Sequence, residues 1–575
     1  MPRTVKGVFL LLAAVPLFAA NAGENKTMVD KFREFLRAHE AKVAPMERDA
    51  ALAWWEAATT GNQEAYKRQS ELQTKLETVY TDPQTFAFLK EVRASGAVTD
   101  PIEKRELDRI YLSYLGHQID PDLLAKMIAA SSAIEEKFST FRAKVKGKEV
   151  TDNQIVEVLV NSRNREKRKE YWLASKQVGV ALAPDVVALV KLRNQAAVKL
   201  GFRDFYALQL ALNEQDEGWL LSLFDELDRL TAEPFTLAKA RIDQVQGKRL
   251  GVASGQLMPW DYTDRFFQEG PNLSDINMDK PLAGRDIPKL VAGFYRGIGL
   301  DADPVLARSD LYEHKGKNPH AFCSDIDRKG DVRALLNIKP NQEWFGVTLH
   351  ELGHGVYSYY IQRTLPYFVR TEDSAFATEG IAMMFERLAT TASFYRALGL
   401  VDEPTAARLS APMEEKERMA GLIFSRWSQV MLRFEKELYA NPDQDLDALW
   451  WKLVERYQGL KRPAEAPRGA WASKIHIVTV PVYYYNYELG ALYAAQLNAA
   501  ICRELYPGQS PATVIYVDNP KVGAYLKAKI FASGASLPWQ EFVKVSTGEP
   551  LSPQAFAAQF ATPAGPGTPQ SGGQP

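Results

Sequence analysis

A run of five residues in the middle of the chain, His350-Glu351-Leu352-Gly353-His354, constrains the fold more than any other segment. On an α-helix, residues four apart lie on one face, about 40° apart around the axis, so both histidine side chains point the same way. Glu351 projects about 100° away from His350 around the same axis. The neighbouring residues are mostly apolar, which predicts a buried helix. Buried histidines need partners, and one metal ion can serve both.

The pattern H-E-x-x-H on a helix is typical of zinc hydrolases. His350 and His354 would bind one Zn²⁺ per chain, and Glu351 would act as the general base that takes a proton from the attacking water. The target would be a carbonyl carbon. The alternative is a surface helix with two solvated histidines, but the flanking Trp344 and Phe345 favour burial.

A catalytic zinc needs a third protein ligand, and no further histidine follows within a few residues. Glu372 and Asp373 lie in a polar stretch that predicts a solvated loop. Glu379 begins an apolar helical run over 380–385, where a lone carboxylate needs a strong reason such as a cation. Glu386 follows seven residues later, near the same face. Glu379 is therefore the predicted third ligand, with Glu386 as the fallback or as a group that orients a ligand.

Helical periodicity dominates the rest of the chain, with apolar residues at i, i+3, i+4 and i+7. The clearest stripe consists of Leu220, Leu223, Phe224 and Leu227. Strand-like runs are few, and the best is 332–338. Two cysteines, Cys323 and Cys502, cannot form a disulfide framework and could be paired or free. The pattern predicts one large, all-α domain over 23–560.

Charge and the chain termini restrict the partners and the compartment. Lys and Arg number 70 against 71 Asp and Glu, so the net charge of -1 favours neither nucleic acid nor a membrane surface. Residues 1–22 read as a signal peptide, with cleavage expected before Gly23, although an uncleaved anchor is the alternative. The sequence therefore predicts an exported protein, periplasmic or secreted. Residues 561–575 are rich in Pro, Gly, Ser and Gln and predict a disordered tail.

Further motifs accompany the five-residue run on both sides. They are His320-Ala321, Trp450-Trp451-Lys452-Leu453, Tyr457-Gln458-Gly459, Lys474-Ile475-His476, Tyr484-Tyr485-Asn486-Tyr487 and Asn194-Gln195-Ala196-Ala197. Together with H-E-x-x-H, these motifs resemble those of the angiotensin-converting-enzyme family, the peptidyl-dipeptidases A, in a bacterial form. The resemblance spans about residues 171–502. It implies an elongated, two-lobed helical fold with interleaved segments, a deep central channel and a very small β-sheet near the active site.

The resemblance also implies catalytic and substrate-binding roles. His476 and Tyr487 would donate hydrogen bonds to the oxyanion of the tetrahedral intermediate. His320 would contact the substrate backbone, and the backbone of Ala321 would pair with the peptide like an added strand.

A second group of residues would recognise the end of the peptide. By the same resemblance, Lys474 and Tyr484, joined by Gln268, would hold the free C-terminal carboxylate of an oligopeptide. Such a clamp fixes the distance from the carboxylate to the zinc, so the product would be a C-terminal dipeptide. The enzyme is expected to act as a monomer on oligopeptides.

The sequence departs from the family pattern in several places. Glu379 lies one residue further from His354 than the family spacing, and the tyrosines one further from His476, so either Tyr485 or Tyr487 could stabilise the oxyanion. Met383 stands where the family has an aspartate that orients the third ligand.

Chloride is a further cofactor of the family, and the sequence allows a prediction about it. Val454 and Asn486 replace its chloride-binding arginines, so chloride activation is not expected.

Two other functions stay open. A zinc oligoendopeptidase of the related thimet type would share the helical channel and the chemistry but cleave internally. A non-catalytic, helical peptide-binding protein would have no need of Glu351, so the intact motif weighs against it.

Overall fold

The computed structural model of the chain describes residues 16–271 and 276–560, with side chains from residue 26 onward. The first fifteen residues of the expected signal peptide and the expected tail over 561–575 lie outside the described residues. The described helices are α1 (Pro16–Thr60), α2 (Gln63–Tyr80), α3 (Pro83–Ser95), α4 (Pro101–Gly116), α5 (Pro121–Thr140), α6 (Asp152–Asn161), α7 (Arg165–Lys199), α8 (Phe205–Leu212), α9 (Glu217–Leu250), α10 (Ile287–Gly297), α11 (Asp303–Leu306), α12 (Gln342–Tyr360), α13 (Ala375–Glu386), α14 (Ala392–Ala397), α15 (Glu403–Ala440), α16 (Leu446–Gln458), α17 (His476–Thr479), α18 (Tyr485–Leu505), α19 (Pro520–Lys529), α20 (Trp539–Thr547) and α21 (Gln554–Ala558).

Strands are short and form two antiparallel hairpins in the described part of the chain. They are β1 (Ala143–Val145) with β2 (Lys148–Val150), and β3 (Phe322–Asp325) with β4 (Val332–Leu335). The predicted strand over 332–338 is confirmed in its first four residues and ends before the turn that leads into α12. The second hairpin packs against α12, which carries the H-E-x-x-H motif. The all-α fold with a very small sheet is confirmed.

Most of the protein packs around one large core that draws on residues from Leu123 to Phe560. The predicted stripe on α9 is part of this core, and Leu220, Phe224 and Leu227 have no exposed surface. A smaller core joins α1, α3 and α4 to a single turn that contains Tyr367 and Phe368. The N-terminal helices are thereby attached to the segment between α12 and α13.

Helix α7 is the one described helix whose length and composition would allow it to cross a membrane. It packs instead against α5, α6 and α8, and it buries Arg168, Lys176 and Arg193. The Arg168 guanidinium donates to the backbone carbonyls of Trp260 and Tyr262. Satisfied buried cations of this kind belong to a protein core, so α7 serves as a core helix here.

Three helices meet at the motif because glycines allow their backbones to approach closely. A Cβ atom on Gly353 of α12 would lie 2.9 Å from the Cα of Ala382 in α13. A Cβ on Gly380 of α13 would lie 2.8 Å from the backbone oxygen of Gly490 in α18. Any side chain at these positions would push α13 away from its neighbours. The glycines therefore keep α13 between α12 and α18, where its first turns face the motif.

Candidate active site

Helix α12 presents both histidines of the motif on one face, as predicted. The helix begins with an Asn341 side chain that accepts a hydrogen bond from the backbone N–H of Trp344 at 3.0 Å. The Nε2 atoms of His350 and His354 lie 3.2 Å apart. Two nitrogen ligands about 2.0–2.1 Å from one tetrahedral ion lie roughly 3.3 Å apart, so this spacing fits a shared Zn²⁺.

Glu379, from the second turn of α13, completes the cluster. Its Oε2 atom lies 3.6 Å from Nε2 of His350, and the ligand atoms of His350, His354 and Glu379 all lie within 4.8 Å of one another. Two imidazole nitrogens and one carboxylate oxygen form a donor set that suits a catalytic zinc with an open fourth position. The residues present therefore fit the metal, despite the extra residue between His354 and Glu379.

The Nδ1 atoms of the two histidines point away from the cluster and have separate partners. Nδ1–H of His350 donates to Oε2 of Glu386 at 2.8 Å. Nδ1 of His354 lies 2.7 Å from the hydroxyl of Thr378, which in turn donates to Glu372. These contacts fix both rings and leave both Nε2 lone pairs facing the cluster. Glu386 thus lies beside a ligand, and Glu379 occupies the position of the third one.

Glu372 and Asp373 are not solvated, and that prediction is wrong. Glu372 is half-buried and also accepts a hydrogen bond from the Ser358 hydroxyl, while burial raises its pKa to about 7. Asp373 is 5% exposed, beside Arg105 and Arg109. The polar composition of this stretch reflects buried polar contacts rather than solvent. In the sequence, the polar residue Thr378 just before Glu379 was the one sign of a group that supports the histidine ligands.

Glu351 lies on α12 beside the cluster and is 7% exposed. Burial raises its pKa to about 7; the positive charge of His350 opposes this increase, and the negative charge of Glu379 adds to it. Burial lowers the pKa of His350, but its hydrogen bond to Glu386 and the negative charges of Glu386, Glu351 and Glu379 together outweigh burial and raise that pKa to about 9 without a metal. A buried carboxylate with a pKa near neutrality suits proton transfer in either direction.

Tyr487 and Tyr485 face different surroundings. A Cβ on Gly490 would lie 3.2 Å from the Cβ of Glu379, and Tyr487 lies three residues earlier on the same face of α18. Burial raises the pKa of Tyr487, and the charge of Glu379 adds to this effect. Tyr485 is 2% exposed, and burial raises the pKa of its hydroxyl, which lies near the Asn486 side chain. The structure therefore places Tyr487 beside the metal cluster and Tyr485 in the core.

A group of aromatic rings links Tyr487 to the other predicted site residues. The ring of Tyr484 lies 5.3 Å from that of Tyr487 and 5.5 Å from that of His476. Burial and the charge of Lys474 lower the pKa of His476 to about 4, so its ring is neutral at pH 7. Its Nδ1 atom is buried without a partner among the described residues. His476 and Tyr487 thus both pack against the ring of Tyr484.

Lys474 lies at the far end of this aromatic group. It is 7% exposed, and its Nζ donates to Oε1 of Gln268 at 2.7 Å. The rings of Phe266, Trp427 and Tyr484 lie 5.2–5.6 Å from Nζ. Burial lowers the pKa of Lys474 to about 8, and among the described residues no carboxylate lies within ion-pair distance. The three predicted clamp residues are therefore brought together.

His320 and Ala321 immediately precede β3, the outer strand of the second hairpin. His320 is exposed, and its backbone N–H donates to the side chain of Asn318 at 2.9 Å. Strand β3 pairs only with β4 among the described strands, so its other edge is free for an added strand.

Cys323 and Cys502 are both free thiols, and no disulfide joins them.

Comparison with known proteins divides the chain into two matched regions. Residues 26–230 match the family model described as Angiotensin-converting enzyme, and residues 306–562 match the model described as Peptidase family M3. The second region contains the metal cluster and most of the predicted substrate contacts.

Similar curated proteins cover most of the chain. The angiotensin-converting enzyme of Haematobia irritans exigua is 22% identical over 489 residues, which is 76% of this chain and 77% of that protein. The enzyme of Theromyzon tessulatum is 20% identical over 503 residues, 80% of each. The enzyme of Mus musculus is 22% identical over 426 residues, 69% of this chain and 32% of that protein.

Proposed function

We propose that this chain, which belongs to the angiotensin-converting-enzyme-like zinc metallopeptidases, releases dipeptides from the C-termini of oligopeptides. The observation that carries the proposal is the buried ammonium group of Lys474, which contacts an amide and three aromatic rings but forms no direct ion pair with a carboxylate of the described residues. A buried charge without a direct ion pair is costly, and an anionic ligand would compensate it. The C-terminal carboxylate of a peptide is such an anion.

The residues at the other end of the site would carry out the hydrolysis. Zinc held by His350, His354 and Glu379 would supply Lewis acidity for the attack of water on a peptide carbonyl. Glu351 would accept the proton of the water and pass it to the leaving amine, for which a pKa near 7 is well suited.

The oxyanion that develops on the carbonyl needs hydrogen-bond donors. The hydroxyl of Tyr487 would supply one, since it lies on the α18 face next to Glu379. The neutral ring of His476 would supply the other through an N–H group. Ala321 would hold the rest of the peptide by backbone pairing at the free edge of β3, with His320 beside it.

Comparing one peptide with a free and with an amidated C-terminus tests the proposal. We expect mass spectrometry to find a C-terminal dipeptide from the free peptide and a reduction of roughly 100-fold in kcat/KM for the amide. Lys474→Met should remove this difference, whereas Lys452→Met, on an exposed position of α16, should preserve it. Equal cleavage of both peptides by the native enzyme would contradict the clamp.

Internal cleavage is the second candidate function. It is supported by the match of residues 306–562 to the Peptidase family M3 model, which includes the metal cluster. Fragments other than a terminal dipeptide from both peptides would favour this alternative. If the zinc-loaded protein binds the peptides but cleaves neither of them, it is a peptide-binding protein instead.

We also propose that the protein is exported. The support is the positive start, the apolar run and the small residues before Gly23 in the sequence. N-terminal sequencing of the protein from its native host tests this proposal. A mature chain that begins at Gly23 supports it, and a chain that retains Met1 and stays in the cytosolic fraction contradicts it.

A further inference from the structure

The turn that supplies Gln268 to the clamp is fixed on several sides. The carboxylate of Asp264 accepts the backbone N–H groups of Phe266 and Gln268 at 2.9 and 2.8 Å. Phe267 adopts a positive φ of 51°, which is uncommon for a residue other than glycine. The amide of Gln458 donates to the backbone oxygens of Phe266 and Phe267 at 2.9 and 2.8 Å. The residue that follows this turn is therefore held in a defined place beside the clamp.

That residue is Glu269. The Gln268 side chain connects it to the clamp, because its Oε1 accepts from Lys474 and its amide group donates to the Glu269 carboxylate. Glu269 reaches solvent, yet burial by the surrounding protein raises its pKa, and the charge of Asp264 adds to the increase. Glu269 is therefore an accessible carboxylate beside the clamp.

The charge of Glu269 is not neutralised by a direct ion pair. Among the described residues no Lys, Arg or His nitrogen lies within 4.0 Å of its carboxylate. Arg265, the nearest arginine in the sequence, has its guanidinium directed to Asp152 at 3.4 Å. Lys474 contacts the oxygen of the Gln268 amide instead. The Glu269 carboxylate thus has no direct cationic partner among the described residues and is accessible to a ligand.

We propose that Glu269 makes the enzyme select peptides whose C-terminal residue is lysine or arginine. This inference rests on the proposed function, because it places the peptide carboxylate at Lys474. The side chain of a C-terminal residue branches from the carbon that bears that carboxylate, so its first atoms must lie close to the clamp. A basic side chain is long enough to reach a carboxylate that is one hydrogen-bonded amide away from Lys474. The carboxylate of Glu269 and the basic side chain would attract each other as opposite charges.

A series of peptides that differ only in the last residue tests the inference, with Arg, Lys, Gln, Leu and Glu at that position. We expect kcat/KM for dipeptide release to be about tenfold higher for Arg than for Gln, and lowest for Glu. In Glu269→Gln the Arg-to-Gln ratio should fall to near one, and in Glu269→Lys the preference should shift to Glu. The matched control is Glu149→Gln, an exposed position on β2, which should keep the native ratio.

The alternative outcomes separate the inference from the function on which it rests. If dipeptides are released with no preference among the five peptides, the inference is wrong and the proposed function stands. If Glu269→Gln reduces kcat/KM equally for all five, Glu269 only supports the charge of Lys474, and the inference is again wrong. If no peptide yields a dipeptide, the proposed function itself has failed. Thermal unfolding of each variant checks that it is folded.

Discussion

The metal end of the site, which contains His350, His354 and Glu379, lies on α12 and α13, two helices that follow each other in the chain. The clamp end, in contrast, joins Gln268 to Lys474, which are 206 positions apart in the sequence. The charges differ as well. The metal end carries three glutamates within reach of two histidines, while the clamp end carries a buried lysine without a carboxylate partner. Under the proposed function, bond cleavage and the recognition of the peptide end would fall to separate regions of the site. Changes at the metal end should affect every substrate, and changes at the clamp only those with a free C-terminus.

The largest effect should come from Glu351→Gln. The amide keeps the size of the side chain but cannot accept the proton of the attacking water, so we expect kcat to fall by about 10³-fold. The loss should be the same for free and amidated peptides. Zinc content, measured by atomic absorption, should match that of the native enzyme. A variant that retains zinc and at least a tenth of native kcat would show that Glu351 is not the base.

The matched variants Tyr487→Phe and Tyr485→Phe test which of the two tyrosines stabilises the oxyanion, next to the metal end of the site. Removing an oxyanion donor costs about 100-fold or more in kcat, and we expect this for Tyr487→Phe with little change in KM. Tyr485→Phe removes a hydroxyl that is buried in the core, so its kcat should stay within about threefold of the native value. The reverse order of effects would transfer the oxyanion role to Tyr485.

The metal end was largely predictable because helical spacing determines it. H-E-x-x-H fixes His350 and His354 on one face of a helix wherever that helix lies, and the apolar surroundings of Glu379 indicated a buried charge. The residues that hold the metal ligands in place were harder to predict. Thr378 contacts His354, and Glu372 contacts Thr378, because Gly353 and Gly380 bring α12, α13 and α18 close together, which no local pattern encodes.

The clamp end could be proposed only through resemblance to a family. Lys474 has no unusual local sequence, and its burial arises from Phe266, Trp427 and Tyr484, which come from three distant segments. Spacing alone also could not choose between Tyr485 and Tyr487. The contact of Gly490 with Glu379 places Tyr487 on the face of α18 beside the metal cluster, which favours Tyr487. Tertiary packing, rather than periodicity, carries this information.

The support of His354 offers a smaller effect that is confined to the metal end. Thr378→Val has nearly the same shape but loses the hydroxyl between His354 and Glu372, and we expect zinc affinity to fall about 10- to 100-fold in chelator competition. Thr378→Ser restores the hydroxyl and should recover most of the affinity. At saturating zinc, the free-to-amidated ratio of kcat/KM should be unchanged in both variants. Equal zinc affinity of the Val and Ser variants would exclude a role for the hydroxyl.

The smallest expected effect concerns pH and is confined to the clamp. Burial lowers the pKa of Lys474 to about 8, so its ammonium group is charged below this pH and becomes neutral above it. Because the clamp requires the positive charge, kcat/KM for peptides with a free C-terminus should fall above pH 8, by about tenfold for each further unit. A guanidinium stays charged throughout this range, so Lys474→Arg should lack that decline whatever its absolute rate. If the native enzyme and Lys474→Arg decline in parallel, the titrating group belongs to the metal end, and the two ends are not as separate as their charges indicate.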